Sequence, residues 1–218
     1  MYMNMSYTKR TIVGFCIVIL IVLASFFFLT VRNVGTVGSP EAASFTQDDL
    51  AATESYLRSA IGEYAPDEPV LGGTWYVTDV QLAGDRAFVS YEDGHIARQA
   101  LVGIEIMNGS PRVVQALSAY IDNREAITVH SGDRYVIALN ANPTTGYGWR
   151  VADESTITPD GEGFIPIDGS SSMLGSGGID YFVFIAGKAG QESAIFLYSR
   201  PWESVVPLDK KTFTLLVQ

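Results

Sequence analysis

A chain of 218 residues has room for two modest domains. Its net charge of −10 is unevenly spread: of 14 basic residues, Lys9, Arg10 and Arg32 stand at the N-terminus ahead of the first acid, Glu41, so that from residue 33 onward the other 11 face all 24 acidic residues. Such a surface repels phosphate backbones and argues against a nucleic-acid partner, while a lone cysteine, Cys16, excludes an intramolecular disulfide, and with only His95 and His130 beside it no Cys/His metal centre can be assembled.

Residues 12–31 are apolar and uncharged. Twenty residues at about 1.5 Å each reach about 30 Å, the thickness of a hydrocarbon core, so a membrane span is expected here. A cleaved signal peptide is the competing reading, although its apolar run is ordinarily only about 7–15 residues. Lys9 and Arg10 ahead of the span, with the acidic bulk beyond it, place the N-terminus inside and the rest of the chain outside the membrane. Cys16 is then an apolar filler of the span. Residues 1–32 thus form a cytoplasmic stub and anchor, and 33–44, with Gly35, Gly38, Ser39 and Pro40, a linker.

Thr46 stands three residues ahead of Asp49, a capping-box pattern, and Leu50, Tyr56, Leu57 and Ile61 follow at helical spacing. One amphipathic helix is expected over 47–64, ended by Pro66 and Pro69. Strand-like runs at 74–82, 86–91, 95–107 and 112–120 are joined by Gly84-Asp85, Asp93-Gly94 and Asn108-Gly109, all short turn signals. Residues 45–121 are therefore expected as a small α+β domain, a helix on an antiparallel meander, acting as a spacer or as a second binding module. Asn108-Gly109-Ser110 also spells a glycosylation sequon on a hairpin turn.

Residues 122–218 carry seven short strand-like runs, at 126–130, 134–141, 148–152, 164–167, 179–186, 193–199 and 212–217, which suggests an all-β sandwich of immunoglobulin-like kind. Asp153, Glu154, Asp160 and Glu162 fall in a turn-rich stretch, 153–163, and read as solvated surface. Three connections differ from ordinary turns. Asn142-Pro143-Thr144-Thr145-Gly146-Tyr147 is stiff: proline fixes its own φ and biases Asn142 to extended geometry, the threonines are restricted at χ1, and Gly146 is free to take a backbone angle closed to side chains. Gly175-Ser176-Gly177-Gly178 and Arg200-Pro201-Trp202 follow. In an up-and-down chain alternate connections emerge at the same end. These three are the second, fourth and sixth, so they are expected to share one rim.

The three motifs, in this order and spacing, resemble the signature of the chagasin family of cysteine-protease inhibitors, over less than half of the chain. The resemblance implies an immunoglobulin-like sandwich whose three loops wedge into the cleft of a papain-like protease. On that reading Thr144 and Thr145 lie over the catalytic centre, the glycines allow close backbone approach, and Trp202 is the large aromatic anchor, with Arg200 bonding carbonyls or an acid. The chain carries no Gly-x-Ser-x-Gly, phosphate-loop or His-Glu-x-x-His pattern, so no enzyme activity, cofactor or metal is expected. The rival reading is a cell-surface structural or adhesion protein using the sandwich as a generic interaction module.

Overall fold

The computed structural model describes residues 45–121, 126–167, 177–203 and 206–218. The expected span at 12–31, Cys16 and the linker at 33–44 lie outside the described residues. Among the described residues no helix is long and apolar enough to cross a membrane.

Helix α1 (Gln47–Ser59) begins at the expected cap: the Thr46 hydroxyl accepts the Asp49 amide at 3.1 Å, and the Asp49 carboxylate accepts the Thr46 amide at 2.9 Å. The single helix expected over 47–64 is broken at Ala60 (φ −104°, ψ 13°), two residues ahead of the weak helix former Gly62, and a single turn, α2 (Ile61–Tyr64), follows. The Tyr64 hydroxyl bridges the break by donating to the Leu57 carbonyl at 2.7 Å.

The meander is β1 (Tyr76–Ala83), β2 (Arg86–Glu92), β3 (Ala97–Met107) and β4 (Ser110–Ile121). Asn108 and Gly109 hold φ of 52° and 76°, both left-handed, as the tight turn between β3 and β4 requires. The helical pair covers one face of these strands, where Leu57, Ile61 and Trp75 pack on Val89, Tyr91, Val102 and Ile104.

Seven further strands follow: β5 (Ile127–Val129), β6 (Arg134–Ala141), β7 (Gly148–Val151), β8 (Thr158–Pro166), β9 (Gly178–Ile185), β10 (Gly190–Ser199) and β11 (Asp209–Val217). They form a β-sandwich, but not one separate from the meander. One sheet runs β1-β2-β3-β4-β6-β9-β8 and the other β5-β11-β10-β7. The join is a short parallel ladder, Ala119 to Val136, Tyr120 to Ile137 and Ile121 to Ala138. The boundary expected between 121 and 122 is therefore no boundary of the sheet, and Phe45 to Gln218 is one compact unit.

Strand alternation explains why the join holds. Tyr135, Ile137, Leu139, Phe182 and Phe184 face the four-stranded sheet and build the sandwich core with Phe196, Phe213 and Leu215. The intervening Val136, Ala138, Ile179 and Val183 face the other way, and there they meet Phe88 and Leu101 of the meander. The long sheet curls until β1 and β2 lie against β8, so β6 and β9 are buried on both faces.

The acidic stretch departs from expectation. Residues 158–166 form β8, paired along β9 with an irregularity between Pro159 and Gly161, because the edge of β9 is free to accept a strand. Asp160 there meets Arg134 at 2.6 Å, while Asp153 and Glu154 remain in a turn.

Candidate functional site

The register puts the three motif loops at one end. Gly178 opens β9 opposite both Ala141, the end of β6, and Pro166, the end of β8. Ser199, the end of β10, faces Gly148, the start of β7, and Tyr198 faces Asp209, the start of β11. The connections β6–β7, β8–β9 and β10–β11 all leave from these ends, as expected. Gly175 and Ser176 lie outside the described residues.

The first loop closes on itself. Asn142 caps a single 3-10 turn, Pro143–Thr145, and its side-chain oxygen accepts the Thr144 amide at 3.2 Å and the Thr144 hydroxyl at 2.6 Å. The Thr145 hydroxyl donates to the Asn142 carbonyl at 2.7 Å. Gly146 ends the turn in the left-handed region (φ 79°), its amide bonded to the Pro143 carbonyl at 2.9 Å. Pro143, Thr144 and Thr145 are exposed, yet both threonine hydroxyl protons are used inside the loop. The loop keeps its shape without a partner, so little conformational freedom remains to be lost on binding.

The third loop grips the first. The Arg200 guanidinium donates to the Thr145 carbonyl through Nε (3.3 Å) and Nη2 (3.2 Å), donates to Glu203 through Nη1 (2.8 Å), and lies 4.5 Å above the Tyr147 ring. Its hydrogen bond to Glu203 raises the Arg200 pKa above its ordinary value. Arg200 thus takes up both of its expected kinds of partner, a carbonyl and an acid, within its own chain. Trp202 stands 69% exposed with its ring against Gly146, where an added β-carbon would come within 2.9 Å of it.

The described part of the glycine loop has an internal role that its sequence did not announce. Gly178 is buried, and a β-carbon on it would meet the Phe164 ring and the Ile165 carbonyl; one on Gly177 would stand 3.1 Å from the Ala141 carbonyl. These glycines let β9 start tight against β6 and β8.

Behind the loops lie residues that motif reading missed. The Trp149 amide donates to Asp180 at 3.2 Å and its indole to the Asn140 carbonyl at 2.9 Å, tying the start of β7 to the long sheet. Burial pushes the Asp180 carboxyl pKa up, with the Trp149 amide pulling the other way. The rim is also apolar beyond Trp202: Ile167 of the β8–β9 connection and Val206 and Leu208 of the β10–β11 connection are exposed as well. A large hydrophobe beside the motifs was the available signal. A depression of about 470 Å³ opens among these loop bases, between Asn142, Trp149, Ile167 and Tyr198. No group of three or more metal-binding side chains occurs among the described residues.

Fold and rim together define a stiff β-sandwich with braced loops at one end. The pattern of the chagasin family of peptidase inhibitors, I42, matches residues 128–217. Chagasin of Trypanosoma cruzi is 33% identical over 87 residues, 37% of this chain and 76% of chagasin; Amoebiasin-1 of Entamoeba histolytica is 32% identical over 97 residues, 44% and 91% respectively. The chain belongs to the chagasin family of peptidase inhibitors. Among solved structures, the Entamoeba histolytica cysteine protease inhibitor EhICP2 is 25% identical (TM-score 0.38, 46% of this chain and 94% of that one). PbICP-C, solved in complex with falcipain-2, is 17% identical (TM-score 0.35, 47% and 91%). The meander and helix, residues 45–121, lie outside the family match.

Proposed function

We propose that this protein is a membrane-anchored, reversible inhibitor of papain-like cysteine proteases, held by residues 12–31 with residues 45–218 outside the membrane. The observation that carries the reading is the brace between two loops at the rim: Arg200 of the tryptophan loop holds the Thr145 carbonyl of the threonine loop, so Thr144, Thr145 and Trp202 are presented as one rigid surface. A papain-like protease cuts an extended peptide. The 3-10 turn at Pro143–Thr145 and the left-handed Gly146 hold this backbone in another shape, so the loop fills the cleft without offering a bond in reach of the thiolate. Trp202 supplies a large aromatic contact at small entropic loss. Inhibition on these terms is occlusion, with no covalent step and no cofactor.

The test is titration of papain with the 45–218 unit. Reversible inhibition is expected, weakened at least about tenfold by Thr145→Ala or Trp202→Ala, as truncation of a central contact of about 1.4 kcal/mol or more gives. Folded protein that leaves papain fully active at micromolar concentration overturns the reading. For the anchor, the full chain should sediment with membranes and lose residues beyond 45 to a protease added from outside.

A further inference from the structure

The rim loops rest on a column of stacked side chains that belongs to none of the three motifs as a whole. Its centre is Tyr198, the penultimate residue of β10. The Tyr198 ring lies 5.5 Å from that of Tyr147 (interplanar 30°) on one side and 4.9 Å from that of Trp149 (35°) on the other. Each of these two rings also meets a cation: the Arg200 guanidinium is 4.5 Å from the Tyr147 ring and the Lys211 ammonium 5.6 Å from that of Trp149. The Tyr198 hydroxyl accepts the Asn142 amide at 3.4 Å, at the point where the threonine loop begins. Tyr198 therefore touches the first residue of that loop through its hydroxyl and the last through its ring. Its own strand neighbours are Trp149 on β7 and Asp209 on β11, so it also stands where the stems of the first and third loops meet.

We propose that Tyr198 is a positioning residue for inhibition: it sets the stems of the threonine and tryptophan loops so that the free protein already holds the bound shape. The proposal rests on the inhibitor reading above. A side chain only half-buried at a strand end is a poor place for a core contact, and ring contacts to both Tyr147 and Trp149, each of which also meets a cation, restrict both loops at once. Stacking of this kind acts on the unbound state. Its loss lowers the fraction of molecules with competent loops, and the apparent affinity falls by that fraction.

This mechanism separates from loss of a direct contact by kinetics. Contact substitutions change dissociation, whereas a smaller competent fraction slows association and leaves dissociation nearly alone. In the full-length protein, Tyr198→Leu is expected to reduce the association rate with papain at least about tenfold with dissociation within about twofold, and to speed amide exchange at 144–147 but not along β9. Tyr198→Phe, which keeps the ring contacts and loses only the long 3.4 Å bond from the Asn142 amide, should stay near wild type in both. Tyr147→Leu, which removes one outer ring at the surface, should repeat the association defect in milder form and guards against a Tyr198→Leu protein that fails to fold. Unchanged association and unchanged exchange in both leucine variants overturn the proposal, as does a defect confined to dissociation. If the wild-type chain inhibits no papain-like protease, the functional reading fails, yet the exchange data still decide whether the column holds the loops.

Discussion

The rim and the seam between the meander and the sandwich are both tertiary junctions, yet they are held by opposite means. At the rim the bonds are polar and stacked, Arg200 to the Thr145 carbonyl and Tyr198 between two rings, and large apolar groups such as Trp202 and Leu208 are left facing solvent. At the seam three ladder pairs join β4 to β6, and the contacts are fully apolar, Phe88 and Leu101 against Val136, Ala138 and Val183. The contrast separates two jobs. Burial at the seam supplies rigidity, and the braced loops keep their shape while leaving large apolar groups exposed, the surface that the proposed inhibition would use. Substitutions at the seam should therefore change stability and spare inhibition, and those at the rim the reverse.

The largest effect expected is at the seam. Leu101 is 4% exposed and belongs by sequence to the meander, but its side chain packs on the sandwich. Leu101→Ala should destabilise the protein by about 2–5 kcal/mol. Because one sheet crosses both halves, thermal unfolding should remain a single transition shifted down as a whole. Two transitions, with that of 126–218 unmoved, would show that the halves are separate domains after all.

That continuity was partly written in the sequence. The run Tyr135–Ile137–Leu139 with Val136 and Ala138 between, and Tyr181 to Ile185 in β9, lack the polar alternation of a sheet with one wet face, and such runs signal strands covered on both sides. What covers the second face was not legible, since a parallel ladder of three pairs between residues 119–121 and 136–138 leaves no local mark. The bounds of β6, the Asn108-Gly109 turn and the shared end of the three loops follow from local chemistry and were readable. Strand β8 was legible only in its second half, expected at 164–167: Asp160, Gly161, Glu162 and Gly163 are poor strand formers, and the edge of β9 imposes pairing on them, with the Tyr181 hydroxyl occupying the space that a β-carbon on Gly163 would need. Arg200 was read as a contact for a partner or for its own chain, and only the fold shows that its carbonyl is Thr145, 55 positions away.

Within the rim, Gly146→Ala sharpens the comparison. A side chain at φ 79° is strained by about 1–2 kcal/mol, and the new methyl displaces the Trp202 ring that now lies against the glycine. Stability should fall by no more than that, while inhibition of papain should fall about tenfold or further through the moved indole. A variant with lowered melting temperature and intact inhibition would mean that Trp202 is not part of the binding surface. On the other side, Thr46→Ala removes the cap of α1, for a loss of about 1 kcal/mol, and inhibition should not change.

The smallest effect expected is a pH-dependent one in the meander. Asp93 is buried in the turn between β2 and β3, where its carboxylate accepts the amides of Val70 (2.7 Å), His95 (2.9 Å) and Ile96 (2.9 Å). Burial opposes its charge, but the three amide donors outweigh burial and hold the pKa below the ordinary carboxylate value. A carboxyl whose pKa is lowered by folding stabilises the protein above its unfolded pKa, near 4, and that contribution is lost as the pH falls through the lower folded value. Asp93→Asn removes the charge and replaces one of the two acceptor oxygens with a donor, so at least one of the three amides loses its partner. Its melting temperature should therefore lie below wild type at about pH 7, and the gap should narrow as the pH falls below the ordinary carboxylate range and the wild-type charge is lost. A gap that stays constant on acidification would assign the difference to the lost acceptor for the Val70, His95 or Ile96 amide rather than to the ionised carboxylate.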